Sequence, residues 1–285
     1  MKECDLYKKE KDRIRCFACS HKCFISKGKT GICGVRKNIG NKLYLLVYGK
    51  VASMNIDPIE KKPLYHFLPG TFSFSIGTVG CNFRCGFCQN FEISQIKERQ
   101  IFGKDISPEE IVQKAIKSKC KSISYTYTEP AIFIEFVKDI AKLAKKKKLK
   151  NILVTNGFFT KESFDYITDY VDAMNIDLKS FSDEFYRKIC GGRLEPVLET
   201  IKRAHKKGIH LEITTLVIPG ENDSEKEFEQ IAKFISSVDK NIPWHISRFF
   251  PIYKMQNRDV TPLLTLKIAE KIGKKYLKYV HVGNI

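Results

Sequence analysis

The chain has 285 residues, of which 43% are hydrophobic, so it is long enough and apolar enough to bury a substantial core. Its formal net charge is +18, but the lysines are dispersed, and the one dense block, at residues 145–148, follows a helix-like apolar pattern, as solvated helix ends do. We therefore expect no nucleic-acid partner. No apolar run approaches the roughly 18 residues that span a membrane, and the charged first residues lack the apolar core of a signal peptide, which predicts a cytoplasmic protein without a membrane partner.

Residues 1–68 are predicted to form a cysteine-rich amino-terminal region. Four of its cysteines follow the pattern C-x2-C-x3-C-x9-C: Cys16, Cys19, Cys23 and Cys33. Clustered cysteines in a cytoplasmic protein more often bind metal than form disulfides. Four thiolates complete either a zinc site or a [4Fe–4S] cluster, and the spacing does not decide between the two.

Residues 69–285 are predicted to form the main domain, in which strands and helices alternate. Period-two apolar runs predict strands at residues 72–76, 123–126, 151–155, 171–178, 209–218, 243–249 and 279–282. Helical periodicity predicts helices at residues 107–119, 131–148, 161–169, 183–190, 195–207, 225–238 and 263–276. This alternation indicates parallel β/α units. We expect an α/β fold, a partial (β/α)6 TIM-type barrel with the cysteine-rich region as an extension.

A second cysteine pattern, C-x3-C-x2-C, directly follows the first barrel strand and comprises Cys81, Cys85 and Cys88. A [4Fe–4S] cluster has four irons, so three thiolates leave one iron open to another ligand. Zinc sites usually close with four protein ligands, and residues 81–90 supply no fourth. The pattern therefore favours a reactive iron–sulfur centre over a zinc site or a closed electron carrier.

With Phe87 between the last two cysteines, this run resembles the C-x3-C-x-Φ-C signature of the radical S-adenosylmethionine (SAM) superfamily. The resemblance implies a [4Fe–4S] cluster, SAM, and reductive cleavage of SAM to a 5′-deoxyadenosyl radical. It also implies a low-potential electron donor, such as a flavodoxin or a ferredoxin-like protein. The radical would abstract hydrogen from a substrate that the sequence does not identify.

Polar residues follow successive predicted strands, and the carboxyl ends of barrel strands share one rim. For bound SAM, Glu129 suits the ammonium, Lys179 the carboxylate and Asn156 the ribose hydroxyls. An aromatic ring of the cysteine loop suits the adenine, and Thr128 suits a local hydrogen bond. The cofactor-binding residues predicted in this way are Phe83, Phe87, Thr128, Glu129, Asn156, Asp177 and Lys179.

Residues 155–157 and 177–179 resemble the activating enzymes of pyruvate formate-lyase, in which the Asp–Lys strand end helps to hold the SAM carboxylate. Thr128, Glu129 and Pro130 stand where radical SAM enzymes carry a Gly-Gly-Glu-like motif, and His245 resembles a late active-site histidine. The resemblance thus implies five catalytic residues: Cys81, Cys85, Cys88, Lys179 and His245.

Nearly the whole chain, and residues 57–67 most distinctively, is similar to the radical SAM member of the AmmeMemoRadiSam system. It departs from that family at Phe250, where we expect histidine. The resemblance implies Memo-like and AMMECR-type proteins as partners. Two alternatives remain: activation of a glycyl-radical enzyme, and, in another class, a non-catalytic iron–sulfur electron carrier.

Overall fold

The computed structural model describes residues 1–96 and 100–285. In this part of the chain the strands are β1 (Lys2–Glu3), β2 (Tyr7–Glu10), β3 (Arg13–Cys16), β4 (Phe24–Ser26), β5 (Arg36–Ile39), β6 (Lys42–Leu45), β7 (Lys50–Val51), β8 (Ser53–Pro58), β9 (Phe72–Gly77), β10 (Lys104–Asp105), β11 (Ser122–Tyr125), β12 (Lys150–Thr155), β13 (Ala173–Asp177), β14 (His210–Val217), β15 (Trp244–Arg248) and β16 (Val280–Gly283). The α-helices are α1 (Phe91–Ser94), α2 (Pro108–Lys117), α3 (Ile134–Lys146), α4 (Lys161–Ile167), α5 (Asp183–Phe185), α6 (Glu195–Lys206), α7 (Glu225–Val238) and α8 (Leu263–Gly273).

The core of the molecule is an eight-stranded sheet in the order β16-β15-β14-β13-β12-β11-β9-β8. Seven of its strands are parallel, and β8 pairs antiparallel with β9. The parallel strands and their crossover helices confirm the predicted α/β barrel class. All seven strands predicted for the main domain are present in this sheet. The structure also draws β8, from the predicted amino-terminal region, into the barrel sheet.

Local sequence explains the helix boundaries. The α2 helix begins with a capping box, in which Ser107 and Glu110 satisfy each other's backbone N–H groups, and Pro108 occupies the first turn. The α4 helix begins similarly, at Thr160 and Ser163. No helix among residues 1–96 and 100–285 is long and apolar enough to cross a membrane.

Among the described residues, three small antiparallel sheets, β2-β3-β4, β1-β6-β5 and β7-β10, accompany the barrel. The first two belong to the cysteine-rich region and bring its four spaced cysteines together. They also bury Arg36, whose Nη1 donates to Oε1 of Glu135 at 3.0 Å and whose Nε donates to the carbonyl oxygen of Ile132 at 2.8 Å. Because Ile132 and Glu135 lie just after β11, these bonds fix the region to the barrel rim.

Residues 59–68 form a plug against the inner face of the barrel sheet. Asn151 Nδ2 donates to the carbonyl oxygen of Ala141 in α3, so Asn151 points to the helix layer and its neighbour Ile152 points inward. Ile59 and Leu64 pack against inward-facing Ile152 in a small buried cluster that also contains Ala173. The plug thus fills the amino-terminal end of the barrel interior and leaves the carboxyl ends of the strands as the rim for a site.

Candidate functional site

The loop after β9 carries Cys81, Cys85 and Cys88 and is held by backbone hydrogen bonds on two sides. The N–H of Arg84 donates to the carbonyl of Cys190 at 2.7 Å, and the N–H of Gly80 donates to the carbonyl of Ile93 at 2.8 Å. Gly80 has φ of +92°, and a Cβ placed there would stand 2.7 Å from the carbonyl oxygen of Cys33. Only glycine fits this combination of positive φ and close approach, so the loop is shaped by its own sequence.

Of the three thiols, Cys85 is buried and Cys81 and Cys88 are partly exposed, and none is paired in a disulfide. Burial raises the pKa of Cys81 and of Cys88, and a hydrogen-bonding contact with Cys190, followed by burial, raises that of Cys85. Cys190, to which we assigned no role from the sequence, is therefore a neighbour of this loop. Thiols that burial keeps protonated become ligands when a metal cation takes the place of the proton.

Lys179 links the end of β13 to the cysteine loop. Its Nζ lies 2.8 Å from Oδ2 of Asp177 and 5.6 Å from the ring centroid of Phe87. Burial opposes its charge, but Asp177, and after it Cys85 and Cys190, raise the pKa of Lys179 well above its usual value. A permanent cation thus stands between a carboxylate and the thiols, where it can neutralise an added anion or the negative charge of thiolates.

Glu129 and Asn156, from the next two strand ends along the sheet, are joined directly. Oε2 of Glu129 accepts the N–H of Asn156 at 2.8 Å, and Oε1 accepts the hydroxyl of Thr155 at 2.7 Å and the N–H of Ala131 at 3.0 Å. Burial raises the pKa of Glu129 to about 7, although these bonds oppose the shift. The carboxyl group therefore titrates near neutrality, and a bound cation would shift it to the ionised form.

Asn82 is a site residue that we did not predict. Its Oδ1 accepts Nδ2 of Asn156 at 2.8 Å, and the Sγ of the adjacent Cys81 lies 3.7 Å from the same oxygen. The Nδ2 of Asn82 is buried without a hydrogen-bond partner in the described part of the chain. A single loop asparagine gives no sequence signal, because such residues usually form turns.

The remaining predicted SAM contacts lie as follows. Phe83 is 1% exposed and packs against Phe158 at 5.1 Å, so its ring is part of the core. Phe87 is buried beside Lys179 and faces Phe185 at 6.1 Å. Thr128 is buried, and its hydroxyl donates at 2.9 Å to the carbonyl of Thr78, which lies 50 positions earlier in the chain.

His245 lies near the start of β15, away from the strand's carboxyl end. Its Nε2 is 2.6 Å from Oε2 of Glu212, and its ring meets that of Tyr65 at 4.6 Å. By register, His245 is two strands away from Asp177, with Thr214 between them, which separates their backbones by about 10 Å. No hydrogen bond within residues 1–96 and 100–285 joins His245 to Lys179.

Glu212 is the second residue that the sequence did not reveal. Its Oε1 accepts the N–H of His66 at 2.8 Å and Nε2 of His210 at 3.0 Å, and its Oε2 accepts the N–H of Tyr65 at 3.0 Å in addition to His245. Burial alone would raise its pKa, but these four bonds outweigh that effect and lower the pKa to about 2. Glu212 is thus a buried, ionised anchor for both the plug and His245.

The four amino-terminal cysteines line one cavity, together with Arg36 and Ile132. The cavity lies against the barrel rim, because its wall residue Ile132 belongs to the segment that follows Glu129. Burial raises the pKa of Cys16 to about 12 and that of Cys19 well above the usual value.

The cysteine loop fits an iron–sulfur cluster and a polar ligand at its open iron. In the described residues, no three His, Cys, Asp or Glu side chains are arranged to hold a single metal ion. The loop instead offers three thiols on a shaped turn and an orphaned amide Nδ2 of Asn82 next to Cys81, and the cation of Lys179, whose side chain is 13% exposed, lies beside it. An unpartnered buried donor indicates a missing acceptor, and thiolate ligands suit iron–sulfur centres.

Comparison with known proteins agrees with this chemistry. The profile described as "Radical SAM superfamily" matches residues 75–235. An uncharacterized protein of Methanocaldococcus jannaschii is 44% identical over 288 residues, which cover 100% of this chain and 86% of that protein. A protein of the same organism named putative glycyl-radical enzyme activating enzyme is 28% identical over 71% of this chain and 77% of its own length.

Among solved structures, a domain of pyruvate-formate lyase-activating enzyme from Bacteroides vulgatus has a similar fold, with a TM-score of 0.50 and 22% identity. The match covers 57% of this chain and 99% of that one. The profile match spans more than half of the chain and includes the cysteine loop and the strand ends that carry Glu129, Asn156 and Lys179. This chain belongs to the radical SAM superfamily, similar to pyruvate formate-lyase activating enzymes.

Proposed function

We propose that this protein is a cytoplasmic radical SAM oxidoreductase that abstracts hydrogen from a small-molecule substrate. Cys81, Cys85 and Cys88 would hold a [4Fe–4S] cluster and leave one of its irons open to SAM. The observation that carries the proposal is that this loop, which includes the orphaned amide of Asn82, lies beside Lys179 and Asp177. All of these residues belong to the region that matches the superfamily. With cluster and SAM bound, one electron from a low-potential donor cleaves SAM into methionine and a 5′-deoxyadenosyl radical, which takes a hydrogen atom from the substrate.

Residues of this chain bind SAM, orient it and shield the radical from water. The Lys179 ammonium, kept charged by Asp177, pairs with the SAM carboxylate. Glu129 receives the methionyl ammonium, whose charge favours the ionised carboxyl group. Asn156 and Asn82 form a linked amide pair next to Cys81 and orient polar groups of SAM. The plug at residues 59–68 closes the opposite end of the barrel interior and excludes water from the radical.

Release of 5′-deoxyadenosine tests the proposal. Anaerobically reconstituted protein is mixed with SAM and dithionite, and products are separated by chromatography. We expect 5′-deoxyadenosine from the wild type and from Cys120→Ala, which changes a buried thiol outside the site, and none from Cys85→Ala. A wild-type protein that carries a full cluster and releases none would overturn the proposal and favour the electron-carrier alternative.

Activation of a glycyl-radical enzyme is the second candidate, favoured by the name of the relative from M. jannaschii. In that case the hydrogen donor is a glycine of a partner protein, and anaerobic copurification should recover a stable large partner whose addition yields a glycyl-radical signal in electron paramagnetic resonance. If the substrate is instead a small molecule, we expect Memo-like and AMMECR-type proteins as partners. Either version includes a flavodoxin or ferredoxin-like donor, and a second metal centre, zinc or iron–sulfur, at Cys16, Cys19, Cys23 and Cys33.

A further inference from the structure

We propose that the amino-terminal cavity holds a second [4Fe–4S] cluster, and not a zinc ion, and that Cys16, Cys19, Cys23 and Cys33 are its ligands. Pattern alone left both metals open. The structure adds three observations that bear on the choice: the space between the thiols, the chemistry of the other wall residues, and the contact between this cavity and the cysteine loop of the radical site.

The four thiols are not arranged for a single zinc ion. In a tetrahedral zinc site each sulfur lies about 2.3 Å from the ion, so no body the size of a water molecule fits among the four ligands. The cavity that the four cysteines line, together with six other residues, measures about 10 Å³, and no three His, Cys, Asp or Glu side chains of the described residues are arranged around a single ion position. An iron–sulfur core separates its thiolates with iron and sulfide atoms, and therefore suits ligands that stand apart.

The rest of the wall suits a buried thiolate cluster. Apart from the cysteines, it consists of small or apolar residues and one guanidinium: Ala18, Ile25, Gly31, Ile32, Ile132 and Arg36. No carboxylate or imidazole belongs to this wall, so sulfur is the available donor, and soft thiolates select iron–sulfur centres or zinc. Arg36 is 1% exposed and is the one cation of this wall, although it shares its positive charge between the thiols and its ion-pair partner Glu135.

The cavity is built against the radical site. The carbonyl oxygen of Cys33 closely approaches Gly80, whose missing side chain makes the contact possible, and Cys81 follows at once. The Nη2 of Arg84 donates to the carbonyl of Ile32, and His21 Nε2 lies 2.8 Å from the carbonyl oxygen of Asn82. Two iron–sulfur centres would thus stand on touching backbone segments.

Metal and sulfide counting in the full-length protein tests the inference. The key variant is the triple change Cys81→Ala, Cys85→Ala and Cys88→Ala, which removes the radical-site ligands and leaves the amino-terminal cysteines intact. Iron, zinc and acid-labile sulfide are measured per chain after anaerobic purification and reconstitution. We expect about eight irons and eight sulfides in the wild type and about four of each in the triple variant. Adding Cys16→Ala should remove the rest, whereas Cys4→Ala, a buried thiol outside the cavity wall, should leave the wild-type count unchanged.

The outcomes separate this inference from the proposed function. A triple variant with one zinc and no iron, or with no metal, overturns the second cluster while a four-iron wild type preserves the radical site. A wild type and a triple variant that both carry about four irons would support the second cluster and refute the cluster assigned to Cys81, Cys85 and Cys88. If the triple variant lacks metal, a circular dichroism spectrum that matches that of the wild type excludes unfolding as the cause.

Discussion

Replacing Glu212 with glutamine should destabilise the protein and release the plug. The pKa of Glu212 is lowered from 4.5 to about 2, and a difference of roughly 2.5 units corresponds to about 3 kcal/mol of stability at neutral pH. Glutamine keeps one acceptor oxygen but turns an NH2 group toward the N–H of either Tyr65 or His66. The histidines can change tautomer, but a backbone N–H cannot, so one buried donor is left unpaired at a cost of about 1–3 kcal/mol.

The pH dependence has a defined sign. A carboxyl group whose pKa is lower in the folded state stabilises the protein above its unfolded pKa, and this contribution disappears as the pH falls through the folded pKa. The wild type should therefore lose the Glu212 contribution between pH 4.5 and about 2. The Glu212→Gln variant lacks it throughout, so the gap in unfolding free energy between the two proteins should narrow across the same window.

The assay combines thermal unfolding with amide hydrogen exchange. For Glu212→Gln we expect Tm to fall by about 5–10 °C and exchange to accelerate in residues 59–68, which Glu212 anchors. Glu229→Gln is the matched control, because the Glu229 side chain is 44% exposed and bonds the side chains of Tyr276 and Lys233, away from the plug. The reasoning is refuted if both variants unfold at the same temperature and exchange in the plug is unchanged.

Three further variants test the rim. Arg36→Met should lower the unfolding free energy by about 3–5 kcal/mol, since it leaves Glu135 charged and buried without its partner; urea unfolding measures this, and a loss below about 1 kcal/mol would contradict it. Gly80→Ala should lower Tm and iron content together, because a Cβ meets the Cys33 carbonyl at 2.7 Å; unchanged iron with wild-type Tm would show that the turn adapts. Asn82→Ala should raise the Kd for SAM about tenfold, as measured by equilibrium dialysis of the reconstituted protein. A tenfold change corresponds to about 1.4 kcal/mol, which is within the range for a hydrogen bond to a buried group. An unchanged Kd would show that the Asn82 amide does not contact SAM.

The barrel was predictable because its signals are local. Capping residues and apolar periodicity predicted a helix at residues 107–119, and the structure has it at Pro108–Lys117. The strand predicted at residues 209–218 runs over His210–Val217. Each signal lies within the element itself, so neither tertiary contacts nor ligands were needed to read it.

What the sequence hid depends on contacts between distant residues. Glu212 reads as a polar residue in a strand, and its role comes from Tyr65, which lies 147 positions earlier. Asn82 reads as a turn residue until Asn156 is found beside it, 74 positions later. The β8 strand contains few apolar residues, and pairing with β9 rather than its own pattern makes it a strand.

The same contacts bear on how the amino-terminal region relates to the barrel. We divided the chain at residue 68 from the cysteine pattern and the Pro-Gly pair that follows. The structure places β8 on the edge of the barrel sheet and the plug inside the barrel, so both segments before that boundary complete the main domain. Removal of β8 would expose the backbone edge of β9, the strand that leads to Cys81, to solvent and to other chains. The boundary in the sequence is therefore not a boundary in packing. The region that carries the four amino-terminal cysteines also supports β9, the strand that leads into the loop of Cys81, Cys85 and Cys88.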